Sequence, residues 1–273
     1  MSFLSSVGSL FGWFQAPSQP STTFTTPSYA DVCQVRALLK TLNLPTELVL
    51  QILDHAHYYP QHTFFTSPEQ PKRAMPVGRS SSHAVLCLDA SIFNNATADP
   101  IRKGGEIPKI RSIAFEIVSH DQGWTSERTE RTYATSSWLE VSILRTDGGD
   151  LSRVPSPQFV HEHFSDPSQF HDSVRSRGWY LVKRPQEAEQ GPQGGEGDMA
   201  WYLQGNRVAA KKGRYYVAWA RDGDNEGNEG AGAGEGFLRE LRDKDRMLIW
   251  ARAKWAGWQC LVESVKVTVT YGF

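Results

Sequence analysis

Cysteine is scarce: Cys33, Cys87 and Cys260 are the three in 273 residues, odd in number and far apart. Without a CxxC pair or a Cys/His pair at zinc spacing, a disulfide framework and a zinc module are both excluded. Buried thiols in a reducing compartment, cytosol or nucleus, are the expectation. Charge of one sign is lacking too, with 29 Lys and Arg against 30 Asp and Glu. No basic cluster is present to hold a phosphate backbone, so nucleic acid is not an expected partner. The chain also lacks a long apolar run or a basic leader, and neither a membrane span nor a signal peptide is predicted.

What is present is aromatic and apolar: 39% hydrophobic residues, with nine Trp, enough for a sizeable core. Phe3, Leu4, Val7, Leu10, Phe11 and Phe14 fall at helical spacing within a tail, residues 1–27, whose second half is Ser, Thr, Pro and Gln. Ser28 and Asp31 then resemble a capping box. Val32, Val35, Leu38, Leu39 and Leu42 recur at three- and four-residue steps, predicting a helix near 30–42. After Asn43, Pro45 suits a first helical turn, and Leu48, Val49, Ile52, Leu53 and Ala56 form a second stripe. The helical segment is placed at 28–60, and a Pro-interrupted connector at 61–79.

Beyond it the period changes from 3.6 to 2. Ile113, Phe115 and Ile117 alternate with Ser112, Ala114 and Glu116, and the pattern returns at 138–145, 214–219 and 262–271. The run 84–89 is a short apolar strand, and 178–182 and 201–203 are weaker ones. Met247 to Ala253 is apolar on both faces, as a central strand is. Seven or eight strands joined by loops predict a mainly β fold over 80–273, an antiparallel two-sheet β-sandwich or jelly roll. The Gly/Glu-rich stretches 186–198 and 222–236 read as solvated insertions, and Phe237 to Leu241 as a helical turn.

Leu44, Pro45, Glu47, Leu48, Ile52 and Leu53 spell LPxELxxxIL, which resembles the opening of the F-box family. That resemblance implies docking on a Skp1-type adaptor of a ubiquitin ligase through Leu44, Pro45, Leu48, Ile52 and Leu53. The remainder resembles the galactose-binding-like or jelly-roll sandwich that follows the F-box in fungal proteins of similar layout. It implies a protein or glycan as ligand.

Several constellations invite chemistry. Ser119, His120 and Asp121 are consecutive, and neighbours on a strand point to opposite sides, so they do not form a triad. The loop from His120 to Trp124 offers Asp121 and Trp124 to a ligand, or uses them to fix the turn at Gly123 and cap the core. The tip after 253 sets Trp255 and Trp258 beside Arg252 and Lys254, flat rings with cations that suit a sugar or peptide. His161, His163 and His171 read as surface histidines. Asp222, Asp224 and Gly227 start a calcium-loop pattern that fails at Ala233, and no metal or cofactor is expected. Glu116, Asp121, Glu140 and Glu263 are too scattered to pair as glycosidase carboxylates.

The expectation is a non-catalytic binding or adaptor protein. A stand-alone sandwich module is the first alternative, and a carbohydrate-active enzyme the second.

Overall fold

The computed structural model describes residues 26–67, 69–77, 82–126, 128–147, 163–194 and 197–272. The apolar stripe from Phe3 to Phe14 lies outside them, as does His161.

Two helices come first, α1 (Tyr29–Thr41) and α2 (Thr46–His55). The capping box is formed: Asp31 N–H donates to Ser28 Oγ at 3.2 Å, and Ser28 N–H to Asp31 Oδ2 at 2.8 Å. This satisfies donors that a helix start leaves orphaned. Asn43, with φ of 58°, turns the chain between the helices. Val32, Val49 and Leu53 are buried, Tyr29 packs against the main core, and Arg36 pairs with Glu106 at 2.7 Å. The helices are therefore seated on the sandwich, while Leu38, Leu42, Leu48 and Ile52 remain exposed.

The strands are β1 (Gln61–Phe65), β2 (Lys72–Ala74), β3 (Ser82–Ala90), β4 (Lys109–His120), β5 (Ser137–Thr146), β6 (His163–Phe164), β7 (Trp179–Leu181), β8 (Trp201–Gly205), β9 (Gly213–Ala220), β10 (Glu226–Gly227), β11 (Arg246–Lys254) and β12 (Cys260–Gly272). Three further helices interrupt them: α3 (Ala98–Lys103), α4 (Pro167–Arg175) and α5 (Phe237–Glu240). The first sheet runs β1-β12-β4-β9-β10 with β2 also on β12; the second runs β6-β3-β11-β5-β7 with β8 also on β5. Every recorded strand pairing is antiparallel, so the expected two-sheet sandwich is the fold.

Alternation decides what goes inside. Ile113, Phe115, Val217, Trp219, Val265 and Val267 of the first sheet meet Val85, Leu139, Val141, Met247 and Ile249 of the second in one core. The second sheet is also covered on its outer side. There Leu86, Leu144, Leu248 and Trp250 pack with Phe164, Phe170, Val174 and Trp179, which β6, α4 and β7 supply. That explains the two-faced apolarity of 247–253. On the same outer face, Arg252 and Glu140 form an ion pair that is at most 1% exposed.

Some local expectations give way to packing. The stretch 61–79, read as a connector because of its prolines, adds β1 and β2 to the first sheet. The proline-bearing stretch after 163 holds α4, because Pro167 occupies its first turn and Asp166 caps it by accepting from Gln169 N–H at 3.1 Å. The 222–236 stretch looked solvated, yet its second half is laid against aromatic rings. Trp219 Nε1 donates to Gly232 O and Trp201 Nε1 to Glu235 O, both at 2.8 Å. A Cβ on Gly232 would sit 2.2 Å from Tyr202 O, so glycine here permits the backbone to approach. The 186–198 stretch is likewise anchored, with Ala188 buried in the core and Arg184 bonded to Ala188 O and Gly197 O.

Candidate functional site

The two sheets differ in one respect. The second is buried on both faces, whereas the outer face of the first carries exposed side chains over its middle. Strand register places these residues in rows. Phe65 lies opposite Lys266, Lys266 opposite Glu116, and Glu116 opposite Tyr216. With strands about 4.8 Å apart, the row spans roughly 14 Å. Phe65 is 71% and Tyr216 42% exposed, and between them Lys266 Nζ donates to Glu116 Oε1 at 2.7 Å. The result is a ridge with an aromatic ring at each end and an ion pair in the middle.

Beside the ridge the side chains shrink. The next row is Thr63, Thr268, Ala114 and Ala218, with Glu226 opposite Ala218 at the edge; the one after is Gln61, Thr270, Ser112 and Ala220. Small residues flanked by a tall row make a trough, and a depression of about 690 Å³ lies there. Its far wall comes from the end of α2 and the chain beyond it, where Asp54, His55, His57 and Tyr59 face Arg111. Arg111 pairs with Asp54 at 2.7 Å and stacks over the Tyr59 ring at 4.4 Å. Burial first, then the Asp54 hydrogen bond, pushes the Tyr59 phenol up to about 12. The rim beyond β9 carries Asp222, Asp224 and Glu226, all exposed. A second depression of about 640 Å³ lies across the ridge, lined by Glu116, Val118, Arg214, Tyr216, Ser264 and Lys266. Tyr216 stands between the two.

Another cavity, about 300 Å³, lies where Arg102, Asp243, Asp245 and Arg246 converge. Four of its lining charges are paired, Arg102 with Asp99 and Asp243, Asp245 with Arg145, and Arg246 with Asp89, while Lys244 also lines it. It is a brace between loops.

The residues singled out in the sequence fall in three places. Asp121 is buried, with its carboxylate accepting from Gly123 N–H and Ala209 N–H at 2.7 Å. It fixes the turn and is closed to a ligand; burial pushes its carboxyl up, with those two N–H donors pulling the other way. Trp124, 61% exposed, does not cap the core. At the β11–β12 hairpin, Trp258 is buried and Arg252 is held beneath the surface, bonded to Glu140, Ser82 Oγ and Ser165 O. Trp255 remains outside, 49% exposed, with Lys254 Nζ 5.1 Å from its ring centre. Gln259 N–H donates to Gln122 Oε1 at 3.2 Å, tying this hairpin to the Trp124 loop. Of the six, Trp124 and Trp255 are thus open to solvent, Lys254 is half-buried with Nζ donating to Gln193 O at 3.0 Å, and Asp121, Arg252 and Trp258 are structural.

In the helical hairpin, Leu53 is buried, Leu44 half-buried, and Pro45, Leu48 and Ile52 exposed. His171, expected at the surface, is 8% exposed and accepts from Leu181 N–H at 3.1 Å. Ser119 Oγ donates to Asn206 Oδ1 at 2.6 Å, while His120 Nδ1 lies 2.7 Å from Asp121 O, so the three consecutive residues face different partners. Among the described residues no group of three or more His, Cys, Asp or Glu is arranged to hold a metal ion. Glu116, Glu140 and Glu263 are bonded to Lys266, Arg252 and Lys212 respectively, with Glu116 and Glu140 on opposite sides of the sandwich. Sequence reasoning missed Tyr216 and the rows around it. Their signal was the polar phase of the alternation, Ser112, Ala114, Glu116 against Arg214, Tyr216, Ala218.

Fold and site together define a two-sheet antiparallel β-sandwich with one open face. No family model matches the chain, and no curated protein matches it. Solved structures similar to it include a Lotus tetragonolobus seed lectin isoform, 13% identical over 77% of this chain and 94% of that one, with a TM-score of 0.32. The basic winged bean lectin with Tn-antigen is 7% identical over 78% and 100%, TM-score 0.31. Lectin UEA-II complexed with galactose is 10% identical over 77% and 93%, TM-score 0.31. The architecture itself rests on this chain's own strand pairing. Among the described residues no helix is long and apolar enough to cross a membrane.

Proposed function

We propose that this chain is a non-catalytic binding module, and that it takes its ligand, a protein segment or a glycan, on the open outer face of the first sheet. The observation that carries this reading is the contrast between the sheets: one is covered on both faces, the other presents the aromatic-ended ridge and small-residue trough in strict register. A trough of this kind admits an extended chain, with Tyr216 and Phe65 for flat contact and Gln61, Ser112 and Thr270 for hydrogen bonds. The test is a glycan array and a peptide library probed with the wild-type protein and with Ala218→Arg. Arginine at Ala218 projects from the trough floor without entering the core. Binding lost in that variant supports the reading; a ligand held equally by both proteins overturns it.

The exposure of Leu48 and Ile52 favours a second activity, docking of α2 on a Skp1-type adaptor, which would make the sandwich the receptor of a ubiquitin ligase. Co-precipitation with such an adaptor, abolished by Leu48→Lys with Ile52→Lys, supports it. Failure to recover the adaptor with wild-type protein removes it.

A further inference from the structure

The ligand's chemistry can be read from the rim of the trough. Three carboxylates, Asp222, Asp224 and Glu226, line it, all exposed. Among the described residues none of the three has a cation within ion-pair distance, and no Lys or Arg occurs between 222 and 236. Arg111, the cation lining the trough, is paired with Asp54; on the ridge Lys266 is paired with Glu116, and the exposed Arg214 lies across the ridge in the second depression. Asp54, Asp222, Asp224 and Glu226 against Arg111 leave the trough a net charge of three negatives with its histidines neutral.

Tyr216 stands where this field meets a flat surface. Register sets Glu116 opposite Tyr216 and Glu226 opposite Ala218, two residues along the same face; burial first, then these two carboxylates, push the Tyr216 phenol up. Asn228 locks the strand beneath: Tyr216 N–H donates to Asn228 Oδ1, and Asn228 N–H to Tyr216 O at 3.1 Å. A cation over the ring would therefore have carboxylates at its edge, the arrangement that favours ammonium and guanidinium groups.

Resting on the reading that the outer face of the first sheet is the binding surface, we propose that its ligand is a basic polypeptide segment, lying in the trough with a Lys or Arg side chain between Tyr216 and the Asp222–Asp224–Glu226 rim. The trough floor of Ala and Thr accepts a main chain at close range. The two alanines at its rim end, Ala218 and Ala220, leave space for a long side chain.

The experiment uses fluorescence anisotropy on the full chain, with pools of short randomised peptides bearing net positive, zero or net negative charge. The glycan array of the preceding test runs in parallel. The positive pool is expected to bind, and raising salt from about 50 to about 500 mM should weaken it strongly. Asp222→Asn, Asp224→Asn and Glu226→Gln combined should weaken it about tenfold, with an unchanged near-UV circular dichroism spectrum. Tyr216→Leu should weaken it while Tyr216→Phe does not. If the triple variant binds the positive pool as tightly as wild type, or the negative pool binds equally well, the charge assignment is overturned while the face stands. If a glycan alone binds, and Ala218→Arg abolishes that, the face is again right and the peptide assignment wrong. If Ala218→Arg leaves peptide binding intact, the face itself is wrong.

Discussion

Removing the Arg252 guanidinium should cost this protein more than almost any other single change on the second sheet. Arg252 and Glu140 are cross-strand neighbours in adjacent register rows, 1% and 0% exposed, on the sheet's outer face under the covering segment. Glu140 Oε2 also accepts from Trp138 Nε1 at 3.0 Å, and Arg252 sits 5.2 Å from the centre of the Trp138 ring. Arg252→Met keeps the stem's volume and removes the buried cation that neutralises the Glu140 carboxylate. An uncompensated buried charge of this kind costs about 3–5 kcal/mol, a large part of a domain stability of roughly 5–15 kcal/mol. The midpoint of thermal unfolding should fall by about 10 °C. Glu140→Leu combined with Arg252→Met removes both charges and should recover most of the loss, giving a coupling of about 2 kcal/mol or more. Urea unfolding followed by tryptophan fluorescence measures all four corners of the cycle. Additive single and double variants, or a loss under about 1 kcal/mol for Arg252→Met, would refute the view that the pair is mutually neutralised and dry.

Glycine at 234 has φ of +63°, and an added Cβ would lie 2.3 Å from the Trp219 ring; Gly223 has φ of +92° with open space around it. Gly223→Ala should therefore show backbone strain alone, about 1 kcal/mol, and Gly234→Ala should exceed it by about 1–3 kcal/mol of overpacking in the same denaturation assay. Leu53→Ala is expected to destabilise by about 2–5 kcal/mol and Leu48→Lys by under about 0.5 kcal/mol, since one is buried and the other is exposed. Equal costs would mean that α2 is seated differently. The Ser28 hydroxyl and N–H hold the Asp31 carboxyl below its ordinary value, so its folded pKa lies under its unfolded one. The cap's contribution is then present above about pH 4 and lost as pH falls through the folded value. Carbon-detected NMR titration should show a lowered Asp31 midpoint that moves part of the way back toward the ordinary range in Ser28→Ala, which loses the hydroxyl and keeps the N–H donor.

How far local pattern reaches is plain from individual elements. A period of two over 110–118, 138–145, 214–219 and 262–271 already specified strands with one wet face, because burying alternate side chains is the cheapest way to stabilise an extended segment. The capping box at Ser28 and the stripe through Leu53 specified the helices for the same local reason. By contrast α4 was hidden by its proline, which reads as a breaker except at a first turn. β1 was hidden by Gln61, His62 and Thr63, whose place in a strand is set by pairing with 268–270.

Which wet face is free is a different kind of fact. Arg252 and Tyr216 look alike in sequence, polar-bearing side chains in alternating strands. One ends up sealed against Glu140 because β6, α4 and β7 fold over its sheet; the other stays open because nothing in the described chain crosses its row. The Gly/Glu-rich stretch 222–236 shows both outcomes at once, its acids at the trough rim and its glycines pressed on Trp219 and Tyr202. Sequence alone determined the sandwich class, most of its strands and the two N-terminal helices, since each depends on neighbours a few residues away; it left open where those helices sit. Tertiary structure decided the surface, because a row such as Phe65, Lys266, Glu116 and Tyr216 exists only once four strands distant in the chain lie side by side in register.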